Sequence, residues 1–268
     1  MRSISGKERS LIGMVHIGAL PGTPRAPLVP DVDVLAERAA AEAMKLEQSG
    51  FHAVMIENMH DVPYLKGQVG AEVVAAMTVI GVAVTCAVDI PCGIQILAAA
   101  NKEAIAVAMA CGMRFVRAEG FVFAQVADEG MIDGCAGELL RYRKAIGAER
   151  VQVWADIRKK HCSHAITADV DIAGCARAAE FCGADAVIVT GPHTGEPAAE
   201  DDLCAVRNAV ALPVVVGSGV TAENIPISLE HVDGVIVGTS IKEGCDWRRP
   251  VDPEKARALA TVFHEAGP

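Results

Sequence analysis

Aromatic side chains are scarce in this 268-residue chain: six Phe, two Tyr and two Trp make up 4% of it. A core with so few rings is packed from Val, Ala, Ile, Leu and Met, and a 51% hydrophobic content is ample for a sizeable one. That content, set against 22% charged residues, excludes a disordered chain. Basic runs are missing as well. The formal net charge is −10, which argues against a phosphate-neutralising nucleic-acid surface and against attachment to an anionic membrane.

Nine cysteines occur, but no Cys-x-x-Cys pair and no zinc-knuckle spacing. Most lie inside apolar patterns such as Thr85-Cys86-Ala87, and the odd count does not suit a disulfide framework. They read as small buried hydrophobes in a reducing compartment. Met1–Ser10 is polar and charged rather than signal-like, so a cytoplasmic location is expected. Charge is also thin between Glu72 and Lys102, where Asp89 is the only charged residue. Gly81, Pro91 and Gly93 punctuate that stretch, so no membrane span is expected. It reads instead as a helix ending near Ile80 and a strand at Val82–Asp89.

What the chain has in quantity is alternation. Strand-like runs stand at Leu11–His16, Ala53–Glu57, Val82–Asp89, Phe115–Glu119, Val151–Asp156, Ala186–Thr190, Val214–Val216 and Val235–Val237. Helical patterning lies between them. Val32–Gln48, Lys102–Ala110, Ala136–Ile146 and Ile172–Cys182 each stop at a glycine (Gly50, Gly112, Gly147 and Gly183), the expected C-cap. Asp252-Pro253-Glu254 supplies a cap, a first-turn proline and an acidic first turn for a last helix. Eight strands separated by helices predict an α/β chain folded as one (β/α)8 barrel over residues 1–268. An open doubly wound sheet is the alternative, but the first strand leads into Gly18-Ala19-Leu20-Pro21-Gly22, without a G-x-G-x-x-G fingerprint. Pro21–Pro30 holds four prolines and reads as a stiff loop.

Near the C-terminus two β-branched runs end in small turns about twenty residues apart: Val214-Val215-Val216-Gly217-Ser218-Gly219 and Val235-Ile236-Val237-Gly238-Thr239-Ser240. A barrel of this kind builds its phosphate site after its last two strands. Glycine lets backbone N–H groups approach an anion, and Ser218, Thr239 and Ser240 add hydroxyl donors. A single Gly-Ser-Gly is an ordinary turn; two in register point to a small phosphorylated ligand. An acid at Gly219 is expected to repel that ligand and leave the fold intact.

Chemistry in such a barrel sits at the C-terminal strand ends, and these are rich in ionisable groups. The ends present His16, Glu57-Asn58, Asp89, Arg117 with Glu119, and Asp156. Lys159, Lys160 and His161 follow the fifth strand. Clustered carboxylates raise one another's pKa, so some serve as acids while others stay ionised. Glu57, Asp89 and Asp156 are the preferred catalytic trio, with Glu119 beside them and His16 and His161 as proton carriers. Any single one of these could instead cap a helix or pair with Arg117 or Lys160. Glu57, Asp89, Asp156 and His161 are also the candidates for holding a divalent cation, a cofactor that the spacing does not require. Asn58, Thr190 and Gly191 are expected to bind substrate beside the glycine turns. The loop Thr190–Pro197, with two Thr-Gly steps, could cover a ligand; His60 could reach the site and Asp61 could cap. A Schiff-base lysine among Lys159, Lys160 and Lys242 is a further option, although an adjacent pair after a strand reads more readily as solvated.

Several of these stretches resemble one known group. Ala53–Asn58 with Asp61-Val62-Pro63 looks like the second-strand motif of the BtpA/SgcQ family. So do Glu138–Arg143, Ala155-Asp156 with Lys160-His161, Val189–Gly191 with Thr194-Gly195, and Gly217–Val220 with Val237–Ser240. The resemblance runs from about Ile12 to the end. It implies a ribulose-phosphate-binding type of TIM barrel but no settled reaction. The family name comes from a photosystem I assembly role in cyanobacteria, whereas other members resemble products of sugar-metabolism gene sets. One departure falls at the fourth strand, which ends Arg117-Ala118-Glu119 where the family pattern expects Arg-Val-Asn.

Two functions are therefore in play. One is an enzyme (an isomerase, lyase or hydrolase) acting on a phosphorylated sugar or nucleoside by acid–base or metal-assisted chemistry. The other is a non-catalytic assembly factor for a membrane complex, which would not need an ionisable mouth. The chain is apolar for its size and short of charge, so homo-oligomers are expected.

Overall fold

The computed structural model describes residues 9–29, 31–191 and 195–266. Eight parallel strands close into a barrel: β1 (Ser10–His16), β2 (Ala53–Glu57), β3 (Cys92–Gln95), β4 (Phe115–Ala118), β5 (Gln152–Ile157), β6 (Ala186–Thr190), β7 (Val214–Gly217) and β8 (Gly234–Val237). Neighbours follow chain order, and β8 pairs with β1 to close the ring, Leu11 opposite Val235. The helices are α1 (Val32–Gln48), α2 (Ala71–Ala87), α3 (Asn101–Cys111), α4 (Ala136–Ala145), α5 (Ile172–Phe181), α6 (Glu200–Ala209), α7 (Ile225–Leu229) and α8 (Pro253–Ala266). The expected C-cap glycines Gly50, Gly112, Gly147 and Gly183 all take positive φ, from 70° to 92°. Asp252 caps α8 by accepting from the N–H groups of Glu254 and Lys255 at 3.0 and 3.2 Å.

Strand alternation sorts the side chains into two cores. Val54, Ile56, Val187, Val189, Val214 and Val216 face outward, packing with the helices. Ile12, Met14, Met55, Phe115, Trp154, Ile188, Val215 and Ile236 fill the barrel interior. Each such burial contributes about 1.5–3 kcal/mol relative to exposure. The interior holds a stacked pair, Phe115 on Trp154, with ring centroids 3.8 Å apart and planes 6° from parallel. Gly93 makes room for it, because a Cβ there would lie 2.1 Å from Phe115 Cε2.

The expected strand at Val82–Asp89 is not a strand. Those residues up to Ala87 complete the 17-residue helix α2, and the third strand follows at Cys92. Val73, Ala76, Met77, Ile80, Gly81 and Val84 are its buried residues, a 3–4 spacing that β-branched Val82, Val84, Thr85 and Val88 obscured. Gly81 does not break the helix. It lets Cys111 and Met113 approach, since a Cβ there would lie 2.8 Å from Cys111 Sγ. Among the described residues no helix is long and apolar enough to cross a membrane.

A small antiparallel sheet was not anticipated. Gln125–Ala127 pairs with Gly130–Ile132 and with Cys162–Ser163, tying the chain after β4 to the chain after β5 on the mouth side of the barrel.

Candidate active site at the barrel mouth

Continuing the inward-facing positions one step beyond the apolar interior reaches His16, Glu57, Gln95, Arg117, Asp156, Thr190, Gly217 and Gly238. The two-residue period thus places a polar ring directly above a hydrophobic floor. A cavity of about 490 Å³ opens there, lined by His16, Glu57, Arg117, Lys160, Ser218, Gly219, Gly238, Thr239 and Ser240 among others.

Arg117 and Asp156 are both buried and form the tightest polar contact in the ring. Arg117 Nε donates to Asp156 Oδ2 at 2.9 Å and a terminal guanidinium nitrogen donates to the same oxygen. Asp156 Oδ1 is buried with no hydrogen-bond partner among the described residues, as are Gln95 Oε1 and Thr190 Oγ1. A Cβ on Gly217 would lie 3.7 Å from Arg117 Nη1, so the guanidinium reaches across the mouth to the β7 turn.

Glu57 is 8% exposed. Burial pushes its carboxyl above the usual range, more strongly than Arg117, Lys160 and Lys159 pull it down. His16 goes the other way. Burial first, then the Lys242 charge, lowers its pKa to about 3, so the ring is neutral at pH 7. A neutral ring donating from Nδ1 to the Trp247 carbonyl at 2.9 Å leaves Nε2 bare. Nε2 lies 3.8 Å from Glu57 Oε2, and with the ring uncharged this proximity is not an ion pair.

Glu119 is held to one side of the ring. Its two carboxylate oxygens accept from Gln95 Nε2 and the Ala99 N–H, both at 3.0 Å, and Lys159 Nζ lies 3.4 Å away. Burial raises its pKa against the pull of Lys159. The two lysines after β5 are not a solvated pair: Lys159 is buried on Glu119, and Lys160 is half-buried on the cavity wall. Lys242 is fully buried and bonds Glu42 Oε2 at 2.7 Å, away from the mouth cavity.

The glycine turns sit where the spacing placed them, after β7 and β8. Ser218 Oγ accepts from the Gly195 N–H at 3.3 Å, and Ser240 Oγ donates to the Val220 carbonyl at 2.6 Å. Gly219 has a reason beyond an anion. It takes φ +65°, and a Cβ there would stand 2.2 Å from backbone atoms of Glu196. Gly191 abuts the same segment, since a Cβ there would lie 2.2 Å from the Glu196 carbonyl oxygen. An acid at Gly219 would therefore disturb the fold, contrary to expectation. Pro192, His193 and Thr194 of this loop lie outside the described residues.

Three expected site residues are placed elsewhere. Asp89 lies exposed in the turn before β3, at the far end of the barrel, where its N–H donates to Glu47 Oε1 at 2.8 Å. Its displacement follows from α2 running on to Ala87, which puts Asp89 before the third strand rather than at its end. His161 is exposed, takes φ +56°, and lines a neighbouring cavity rather than the mouth. Asn58 is buried but spent on loop structure: Oδ1 accepts from the Leu97 N–H at 2.7 Å and Nδ2 donates to Asp61 Oδ2 at 3.0 Å. Asp61 in turn accepts from the Leu20 N–H and the Thr23 hydroxyl, each at 2.8 Å. His60 packs beside Trp247. The four metal candidates are thus not brought together, and among the described residues no group of three or more His, Cys, Asp or Glu could hold a metal. Gln95 went unforeseen because its strand was misplaced; the Cys92-Gly93-Ile94-Gln95 run after Pro91 was its only signal.

Fold and site together define a parallel (β/α)8 barrel whose two late glycine turns adjoin a ring of buried ionisable groups. The chain belongs to the BtpA family, whose family model matches residues 7–265. It is 43% identical over 247 residues to a Caenorhabditis elegans protein whose name marks it as mitochondrial, covering 90% of this chain and 88% of that one. That compartment differs from the cytoplasm expected here. It is 33% identical to the photosystem I biogenesis protein BtpA of Synechocystis, covering 95% of this chain and 88% of that one. Among solved structures it is similar to thiamine phosphate pyrophosphorylase from Pyrococcus furiosus, with TM-score 0.59, 14% identity, and 97% and 96% of the two chains covered. N-(5'-phosphoribosyl)anthranilate isomerase from the same organism has TM-score 0.55 and 13% identity, with 96% and 100% covered. At such identities these likenesses speak for the barrel fold alone.

Proposed function

We propose that this chain is an enzyme acting on a small phosphorylated metabolite of the phosphosugar, nucleoside or nucleotide type. The observation that carries the reading is that one cavity joins both glycine turns to Glu57 and Arg117. The phosphate sits at Gly217–Gly219 and Gly238–Ser240, where backbone N–H groups and the Thr239 hydroxyl meet it. Arg117, reaching the β7 turn, adds positive charge. Glu57, whose carboxyl burial pushes above the usual range, serves as the acid, and Asp156, hydrogen-bonded to Arg117, is its counterpart. Isomerase, lyase and hydrolase chemistry all use such a pair. Two structural neighbours carry phosphorylated compounds in their names, which supports the substrate class.

The second reading is a non-catalytic assembly factor, favoured by the name of the Synechocystis relative. A thermal-shift screen separates the two: the purified protein against phosphosugars, nucleotides and inorganic phosphate, with and without divalent metal. A ligand that binds only the native state raises the melting temperature by mass action. A rise with one phosphorylated class is the expected result. No rise with any of them, in a folded sample, overturns the enzyme reading in favour of the assembly factor.

A further inference from the structure

The charges in the mouth pair off unevenly. Arg117 takes Asp156, and Lys159 takes Glu119. Two groups on the cavity wall are left over, Glu57 and Lys160. Lys160 stands three residues past the end of β5, and among the described residues its Nζ has no hydrogen bond and no ion pair. It lines the same cavity as Glu57, Arg117 and the two glycine turns. An amine on the cavity wall beside Arg117, partly out of water and in no ion pair among the described residues, has the environment of a nucleophile rather than of a surface charge.

We propose that Lys160 forms an imine with the carbonyl carbon of a phosphorylated ketone or aldehyde whose phosphate rests on the β7 and β8 turns. The proposal rests on the reading of the mouth as a phosphorylated-metabolite site. The Nζ lone pair forms the N–C bond while the carbonyl π pair moves to oxygen. A proton passes from nitrogen to that oxygen, giving a carbinolamine. Glu57 then protonates the hydroxyl, which leaves as water as the nitrogen lone pair closes the C=N bond. The products are a protonated imine, one water and the Glu57 carboxylate facing the new cation. The direction of both titrations agrees with these roles. Burial first, then Arg117, lowers the Lys160 pKa against the pull of Glu57, Asp156 and Glu119, while burial raises that of Glu57.

The experiment is reductive trapping. The purified full chain is incubated with dihydroxyacetone phosphate, glyceraldehyde 3-phosphate or ribulose 5-phosphate, treated with sodium borohydride, and read by intact mass and peptide mapping. The expected result is a borohydride-dependent adduct on the Lys160 peptide that inorganic phosphate suppresses. It should fall at least tenfold in Lys160→Arg, which keeps the charge, and in Lys160→Gln, with Lys159→Arg retaining it. Melting curves with the same phosphosugars accompany each sample. A melting-temperature rise without any Lys160 adduct, or with equal labelling in Lys160→Arg, overturns the imine and leaves the phosphorylated-substrate reading standing. Neither rise nor adduct overturns both.

Discussion

Arg117 donates twice to one oxygen of Asp156 and leaves the other, Oδ1, buried without a partner among the described residues. A buried ion pair is costly to break from one side, because the survivor stays out of water uncompensated. Asp156→Leu should therefore destabilise the protein by roughly 3–5 kcal/mol, and Arg117→Met by a similar amount. The double variant Arg117→Met with Asp156→Leu should cost markedly less than the two single changes added together. Urea denaturation of the four proteins measures this, and additivity would show that the pair is not coupled.

His16 makes stability pH-dependent. Its folded pKa of about 3 lies below the ordinary histidine value of 6.5, so the folded state binds fewer protons between those values. The contribution is fully present above pH 6.5 and is lost as the pH falls toward 3. It amounts to at most about 5 kcal/mol. Glu57 has the opposite sign: a raised folded pKa relieves the fold as the pH drops below it. His16→Gln should flatten the acid limb of a stability–pH curve, measured by denaturant midpoints from pH 4 to 8 in about half-unit steps. An unchanged acid limb would rule His16 out as its source.

Gly93 has no space to spare. Gly93→Ala places a Cβ against the Phe115 ring, which is itself locked on Trp154. Overpacking of this kind costs about 1–3 kcal/mol, so the variant should melt several degrees lower. Combining it with Phe115→Leu should recover part of the loss. Calorimetry of the three proteins decides.

Thr239 offers the clean probe of the anion site that Gly219 does not. It lines the cavity at the start of a short 3-10 turn, where an aspartate is tolerated. Thr239→Asp should leave the melting temperature of the free protein nearly unchanged and weaken any phosphorylated ligand at least tenfold. Calorimetric titration gives the ratio. Equal affinity in the two proteins would move the phosphate away from the β8 turn.

Local regularities carried the architecture into the sequence. Short β-branched runs, helices closed by glycine and two late glycine turns are repeated signals read within a few residues, and they sufficed for a (β/α)8 barrel. The same runs put Glu57, Arg117 and Asp156 at C-terminal strand ends, while the strand register shows that these three share the inward face. Seven of the eight expected strands lie where their β-branched runs stand. The third does not: an apolar run satisfies helix and strand patterns alike, and only packing of α2 on its neighbours, with Cys111 nested on Gly81, decides between them. That decision sent Asp89 to the wrong end of the barrel and brought Gln95 into the ring.

Tertiary structure alone decided the rest, because it depends on which distant groups meet. Asn58 bonds Leu97, some forty residues on, and so is held by the loops. Gly219 is narrow because Glu196 passes it. Lys159 and Lys160 are adjacent in sequence, yet one is neutralised by Glu119 and the other faces the cavity unpaired among the described residues. The sequence by itself determined the barrel and the facing of its strands; closure of that barrel determined which charges cancel and which are left for chemistry.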